Sequence, residues 1–140
     1  MRAHSRPYAL DANVILRHLL NDNPELSRKA RKIFQKATHE GIPLCCNPVT
    51  LAEVVWVLES FYKVPRSQIA EELLAFLAAP EIHLPQKDLY EKALRLYGAA
   101  VPHFGDACAC ASALDAAEGR LLSFDKKLCK VEGIDRVETV

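Results

Sequence analysis

The sequence has no surplus of charge: 18 lysines and arginines face 18 aspartates and glutamates, for a formal net charge of zero. That excludes a disordered acidic tail, a coiled-coil rod and a strongly basic nucleic-acid arm. It does not exclude nucleic-acid binding, which depends on where the charge sits. Long apolar runs are also missing. The longest uncharged stretch, Gly41 to Ala52, has 12 residues and two prolines, short of the ~18 that a spanning helix needs. No membrane contact is expected, and no targeting segment either, because no apolar run follows the two arginines of Met1–Arg6. The five cysteines form no C-x-x-C pair. Cys108 and Cys110, two apart in a helical stretch, point nearly opposite ways and cannot share a metal. The cysteines read as small buried residues of a reducing cytoplasm. None of the five glycines stands in a phosphate-binding loop, and there is no G-x-G-x-x-G, no G-x-S-x-G and no paired-histidine zinc motif.

What is present is an ordinary globular composition, half hydrophobic and 26% charged. The 140 residues suit one domain, residues 1–140, that buries roughly two-thirds of its unfolded surface. Tyr8-Ala9-Leu10 predicts a short buried strand ended by Asp11, followed by a helix through Val14, Ile15, Leu16 and Leu19. Asn23-Pro24, Asn47-Pro48 and Val64-Pro65 are helix entrances. The first opens a helix with Ala30, Ile33, Phe34 and Ala37 on its apolar face and Arg28 to Lys36 on a solvated one. The second opens a helix whose stripe is Leu51, Val54, Val55, Leu58 and Phe61. Further strands are predicted at Pro43–Cys46, Ile82–Leu84, Arg120–Phe124 and Arg136–Val140. Further helices are predicted around Ile69–Leu77, Leu89–Ala100 and Gly105–Ala117, with one helical turn at Lys126–Cys129. Strands alternating with helices, without tight hairpin signals, imply a three-layer α/β domain with a mostly parallel sheet.

The candidate chemistry lies in four acids. Asp11 ends the first strand, Glu53 lies between Leu51 and Val54-Val55 on the apolar side of its helix, Asp106 opens the alanine-rich helix and Asp125 follows Ser123-Phe124. Each has an ordinary structural explanation. Asp106 and Asp125 could cap helices, Asp11 could be a turn residue, and Glu53 could close a capping box with Thr50. Together they point elsewhere. In an open parallel sheet the strand C-termini share one edge, where ligands bind. Asp11, Asp125 and Glu53 would meet there, while Asp106 follows no clear strand. Converging carboxylates call for a cation. An oxygen-only pocket argues for Mg²⁺ or Mn²⁺ over zinc, and for phosphodiester hydrolysis.

Four segments then carry a resemblance: Leu10-Asp11-Ala12-Asn13-Val14-Ile15-Leu16-Arg17, Leu51-Ala52-Glu53-Val54-Val55-Trp56-Val57-Leu58, Phe104-Gly105-Asp106-Ala107 and Ser123-Phe124-Asp125-Lys126-Lys127-Leu128. In order and separation they resemble the PIN-domain ribonucleases, most closely the VapC-type toxins of bacterial toxin–antitoxin pairs. The resemblance spans nearly the whole chain and implies a PIN-like α/β/α fold. It makes Asp11, Glu53, Asp106 and Asp125 the catalytic acids that hold Mg²⁺ or Mn²⁺, and it places Asp106 in the same pocket as the others. Asn13 matches a small polar residue supporting the first acid, and Ser123 stands where threonine is common. His103 stands where family members often carry another aspartate, and reads first as a solvent-facing loop residue.

The resemblance further implies an endoribonuclease acting in the cytoplasm, with an RNA substrate, a cognate antitoxin whose tail covers the site, and a homodimer. On the metal-assisted template the cation activates a water and steadies the leaving oxygen, with Asp125 or Glu53 orienting the water. Arg17, Lys126 and Lys127 are the expected RNA contacts. Trp56 reads first as core; exposed, it would join Phe61 in an antitoxin groove. With the four acids neutralised by cations, the remainder is modestly basic, which predicts salt-sensitive RNA binding. Two rivals remain: a phosphoaspartate enzyme using Asp11, which leaves Glu53 unexplained, and an inert PIN-like module binding RNA or protein, which leaves four intact acids unexplained.

Overall fold

A computed structural model describes residues 6–140, so most of the stretch Met1–Arg6 that bears on targeting lies outside the described residues. The order is β1 (Tyr8–Ala9), α1 (Ala12–Leu19), α2 (Pro24–Glu40), β2 (Leu44–Cys45), α3 (Pro48–Ser60), α4 (Arg66–Ala78), β3 (Ile82–His83), α5 (Lys87–Ala99), α6 (Phe104–Ala116), β4 (Arg120–Leu122), a 3₁₀ helix (Lys126–Lys130) and β5 (Asp135–Val137).

The predicted entrances form as written. Asn23 accepts from the Leu26 N–H at 3.2 Å and Asn47 from the Thr50 N–H at 2.8 Å, each followed by proline in the first helical turn. α2 ends on Gly41 at φ +68°, the left-handed position that glycine adopts without penalty. Behind these caps Ala30, Phe34 and Ala37 of α2 and Leu51, Val54, Val55 and Leu58 of α3 are buried. Arg28, Lys29, Arg31, Lys32 and Lys36 face solvent as expected.

Every strand pairing is parallel. β1-β2-β3 form one sheet, in register Ala9↔Cys45↔His83, and β4-β5 form a second. The α/β/α architecture therefore stands, with its parallel strands in two hydrogen-bonded groups among the described residues. The core lies between the sheets and the helices: Ile15, Leu51, Leu58, Leu73, Leu77, Ile82, Leu94 and Tyr97 are all fully buried, each such side chain contributing roughly 1.5–3 kcal/mol. α5 approaches α4 so closely that a Cβ on Gly98 would lie 2.7 Å from the Ala70 Cβ. Among the described residues no helix is long and apolar enough to cross a membrane.

Several expectations are corrected. Tyr8 and Ala9 are exposed rather than buried, because β1 is an edge of its sheet and only Leu10 turns inward. Ile33 is exposed at the margin of the α2 stripe. The α3 stripe stops at Leu58, since the helix ends at Ser60 and Phe61 lies on the surface against Tyr62, ring centroids 4.9 Å apart. Trp56 is 64% exposed rather than core. Cys129, on the 3₁₀ helix, faces solvent, whereas Cys46 and Cys110 are buried as expected.

Candidate active site

Asp11 follows β1 after Leu10 and takes the N-cap position of α1, yet its side chain makes no capping hydrogen bond. Glu53 lies in the second turn of α3. Asn47 caps that helix, so a Thr50–Glu53 capping box is not its role. Glu53 is exposed, not on the apolar side. At about 100° per residue, a stripe through 51, 54, 55 and 58 puts position 53 on the opposite face. Asp106 is half-buried in the first turn of α6, where the helix dipole favours a carboxylate. The N-cap there is exposed His103, and α6 has no side-chain cap. Asp125 alone makes the bond its ordinary explanation requires. It is the N-cap of the 3₁₀ helix, its Oδ1 accepting from the Lys127 N–H at 3.0 Å, while Ser123 Oγ accepts from the Asp125 N–H at 3.0 Å. Among the described residues none of the four acids belongs to an ion pair.

The elements that carry the acids adjoin one another in pairs, α1 with α3, α3 with α6 and α6 with β4. Parallel pairing of β1 with β2 sets Asp11 and the start of α3 at the same strand-end edge. α3 packs on α6, and α6 on β4, whose end leads to Asp125. The side chains are not gathered into a closed cage: among the described residues no three His, Cys, Asp or Glu stand close enough to hold a metal ion. The donors nevertheless suit a hard cation. They are carboxylate oxygens without a competing cationic partner among the described residues, and Mg²⁺ commonly keeps several of its waters between itself and such ligands. The thiols of Cys46, Cys108 and Cys110 do not compete for it. Burial pushes the Cys46 and Cys108 thiols up to about 11, and burial together with the Asp106 charge raises Cys110, so all three stay protonated at neutral pH.

The expected supporting and RNA-contacting residues divide. Ser123 holds the Asp125 turn, whereas exposed Asn13 makes no side-chain hydrogen bond among the described residues. Lys126 and Lys127 are exposed beside Asp125. Arg17 is engaged within the chain: its guanidinium donates to both Asp22 carboxylate oxygens at 2.9 and 3.1 Å, and Tyr62 Oη donates to Asp22 at 2.7 Å. The Tyr62 hydroxyl, with the Arg17 guanidinium, holds the Asp22 carboxyl below its ordinary range. Sequence reasoning missed this cluster, since 40 residues separate Tyr62 from Asp22. It also missed a groove beside the acids, lined by Trp56, His103 and Gly105 among others. The signal was available: Trp56, like Glu53, falls off the α3 stripe.

A match to the PIN domain family covers residues 8–134. No curated protein matches the sequence.

Proposed function

The chain belongs to the PIN domain family, and from that premise we propose that it is a Mg²⁺- or Mn²⁺-dependent endoribonuclease, the VapC-type toxin of a toxin–antitoxin pair. One observation carries the reading: Asp11 and Asp106 sit where carboxylates usually cap helices and neither does so, while Glu53, in the second turn of α3, faces solvent with no ion-pair partner among the described residues. Unpartnered acids that do no capping suit a site for a cation.

In this proposal Asp11, Glu53, Asp106 and the free oxygen of Asp125 hold the cation. When bound, it supplies positive charge to the scissile phosphate and acidifies a water. Ser123 and the Lys127 amide fix the Asp125 carboxylate. Asp125 or Glu53 orients the attacking water by accepting a hydrogen bond from it. Lys126 and Lys127 offset the repulsion between the acids and RNA phosphates. Arg17 joins them only by sharing its guanidinium with Asp22. The whole of residues 1–140 acts as one PIN domain in the cytoplasm, as a homodimer, restrained by a cognate antitoxin.

The test is cleavage of a structured RNA by the purified chain with Mg²⁺. Cutting by the unsubstituted chain, lost in Asp11→Asn and Asp106→Asn proteins that still fold, supports the site; undiminished cutting by either variant overturns it. For the toxin role, growth arrest on expression should be relieved by the product of a small adjacent reading frame encoding a DNA-binding domain with a tail. An inert binding module is the second reading, favoured by the open spacing of the acids. A rise in melting temperature with Mn²⁺ that vanishes in Asp106→Asn decides for the nuclease.

A further inference from the structure

The formal net charge of zero hides a segregation. Arg28, Lys29, Arg31, Lys32 and Lys36 place five of the 18 basic residues on one stretch of α2, and no acid lies between Glu25 and Glu40. The remaining 13 lysines and arginines stand against all 18 acids. All five cations of α2 are exposed. Of the five, only Lys29 has an ion-pair partner among the described residues, Glu25 at 3.8 Å, and both of those side chains are more than two-thirds exposed. Arg28, Lys32 and Lys36 stand four residues apart, a row rising about 6 Å per step along a helix of 17 residues. Like charges at that spacing repel, so in the chain alone the row weakens α2. An outside polyanion reverses the sign.

The face also tells which polyanion suits it. At about 100° per residue the five cations cover roughly 160° of the helix, and from residue 28 to residue 39 no apolar side chain falls inside that arc. Ala30, Phe34 and Ala37 turn into the core instead. A protein partner is held by apolar and aromatic anchors in desolvated pockets, which this face does not offer. A nucleic-acid backbone is held through its phosphates by lysine and arginine, whatever the sequence. α2 packs on α1, the helix that Asp11 opens, and packed helix axes lie about 8–10 Å apart. A strand lying along α2 is therefore on the element next to the one that carries the first acid.

We infer that the cationic face of α2 is an anchoring surface for backbone phosphates of the RNA substrate, outside the acids that cut it. This rests on the nuclease reading above and adds a second contact region to it. The surface holds phosphates and reads no bases, so it raises affinity for a long or structured RNA without choosing the bond that is cut.

Binding is read on the full chain in EDTA, by anisotropy of a labelled structured RNA, so that no cutting intervenes. Affinity is expected to fall steeply as salt rises. Arg28→Gln, Lys32→Gln and Lys36→Gln combined should bind at least about tenfold more weakly at about 0.1 M salt, with the slope of log affinity against log salt shallower by about 2. The triple variant should melt at or slightly above the temperature of the unsubstituted chain, because the repelling row is gone. In cleavage with Mg²⁺ its KM should rise by a similar factor while kcat stays within about twofold. Undiminished RNA binding by the triple variant overturns the inference. So does an equal loss in a control with Lys63→Gln, Arg95→Gln and Arg120→Gln, exposed cations on other elements, since net charge alone would then explain the binding. Polyglutamate that binds more tightly than the RNA, and is lost in the triple variant, also overturns it and assigns the face to an acidic protein segment. RNA held through α2 by a chain that cuts none leaves the surface standing and removes the nuclease reading. RNA cut by the triple variant with an unchanged KM removes the surface alone.

Discussion

Where α5 packs on α4, Tyr97 is fully buried and its polar atoms are satisfied: its hydroxyl donates to Glu59 at 2.8 Å and its carbonyl accepts from Arg66 at 3.3 Å. On α6 and α1, Asp106 and Asp11 have positions that invite capping bonds and make none, and Glu53 on α3 faces solvent without an ion-pair partner among the described residues. The helical layer uses its polar groups to complete the packing. The acids are left to solvent, where they add little to the stability of the chain alone beyond the favourable helix dipole at Asp106. The contrast separates residues that hold the fold from residues that the fold merely presents, and substitutions on each side should behave oppositely.

The largest effect is expected on the acid side. Asp106→Asn and Asp11→Asn should each lower RNA cleavage at least about 100-fold, the scale of a disturbed metal site. Asp11→Asn in EDTA should melt within about 0.5 kcal/mol of the unsubstituted chain, as for an exposed position without partners, and half-buried Asp106→Asn, which gives up a carboxylate at a helix N-terminus, within about 1 kcal/mol. A large loss of stability in either would erase the contrast. Next comes Gly98→Leu in the helical layer, where even a Cβ meets Ala70 at 2.7 Å. Overpacking there should cost about 3 kcal/mol in urea unfolding without altering the cleavage rate of the protein that remains folded. Tyr97→Phe removes one buried hydrogen bond and should cost about 1 kcal/mol.

The smallest effect is a pH dependence. His18 is half-buried against Phe34, ring centroids 4.3 Å apart, and its Nδ1 is buried with no hydrogen-bond partner. Burial, with a smaller contribution from Arg31, holds its pKa below the ordinary 6.5. The unfolded chain therefore takes up this proton at a higher pH than the folded chain does. Stability contributed here is present above about pH 6.5 and falls as the pH drops below it. Melting temperatures recorded from pH 7.5 down to 5.5 should decline, and the decline should be shallower in His18→Phe. An unchanged slope in that variant would show that His18 does not set it.

The element pattern was legible because it depends on neighbours in sequence. Asn23-Pro24 and Asn47-Pro48 mark their helices by capping bonds that span three residues, and the 51/54/55/58 stripe turns α3 inward whatever surrounds it. The acids could be singled out one by one, and only the resemblance implied a shared pocket for Asp106; the face of Glu53 was misread, because two flanking apolar residues suggested burial where helical rotation turns the side chain out. Trp56 was misread for a related reason: hydrophobicity predicts a wish to be covered, and the helix phase places it away from the core. Arg17 looked free for RNA because its partner Asp22 is held jointly with Tyr62, far along the chain.

The sequence by itself determined the order of strands and helices, the Asn23 and Asn47 caps and the parallel character of the pairing, since each follows from residue type and short-range spacing, and it singled out the four acids as candidates. Only the tertiary structure decided that the strands form two hydrogen-bonded groups, that Asp125 caps while the other three acids do not, that Arg17 is engaged, and that Trp56 opens onto a groove beside Glu53 and Asp106. These are matters of which distant segments meet and which surfaces remain uncovered. A balance of packing over the whole chain settles them, and no local spacing encodes it.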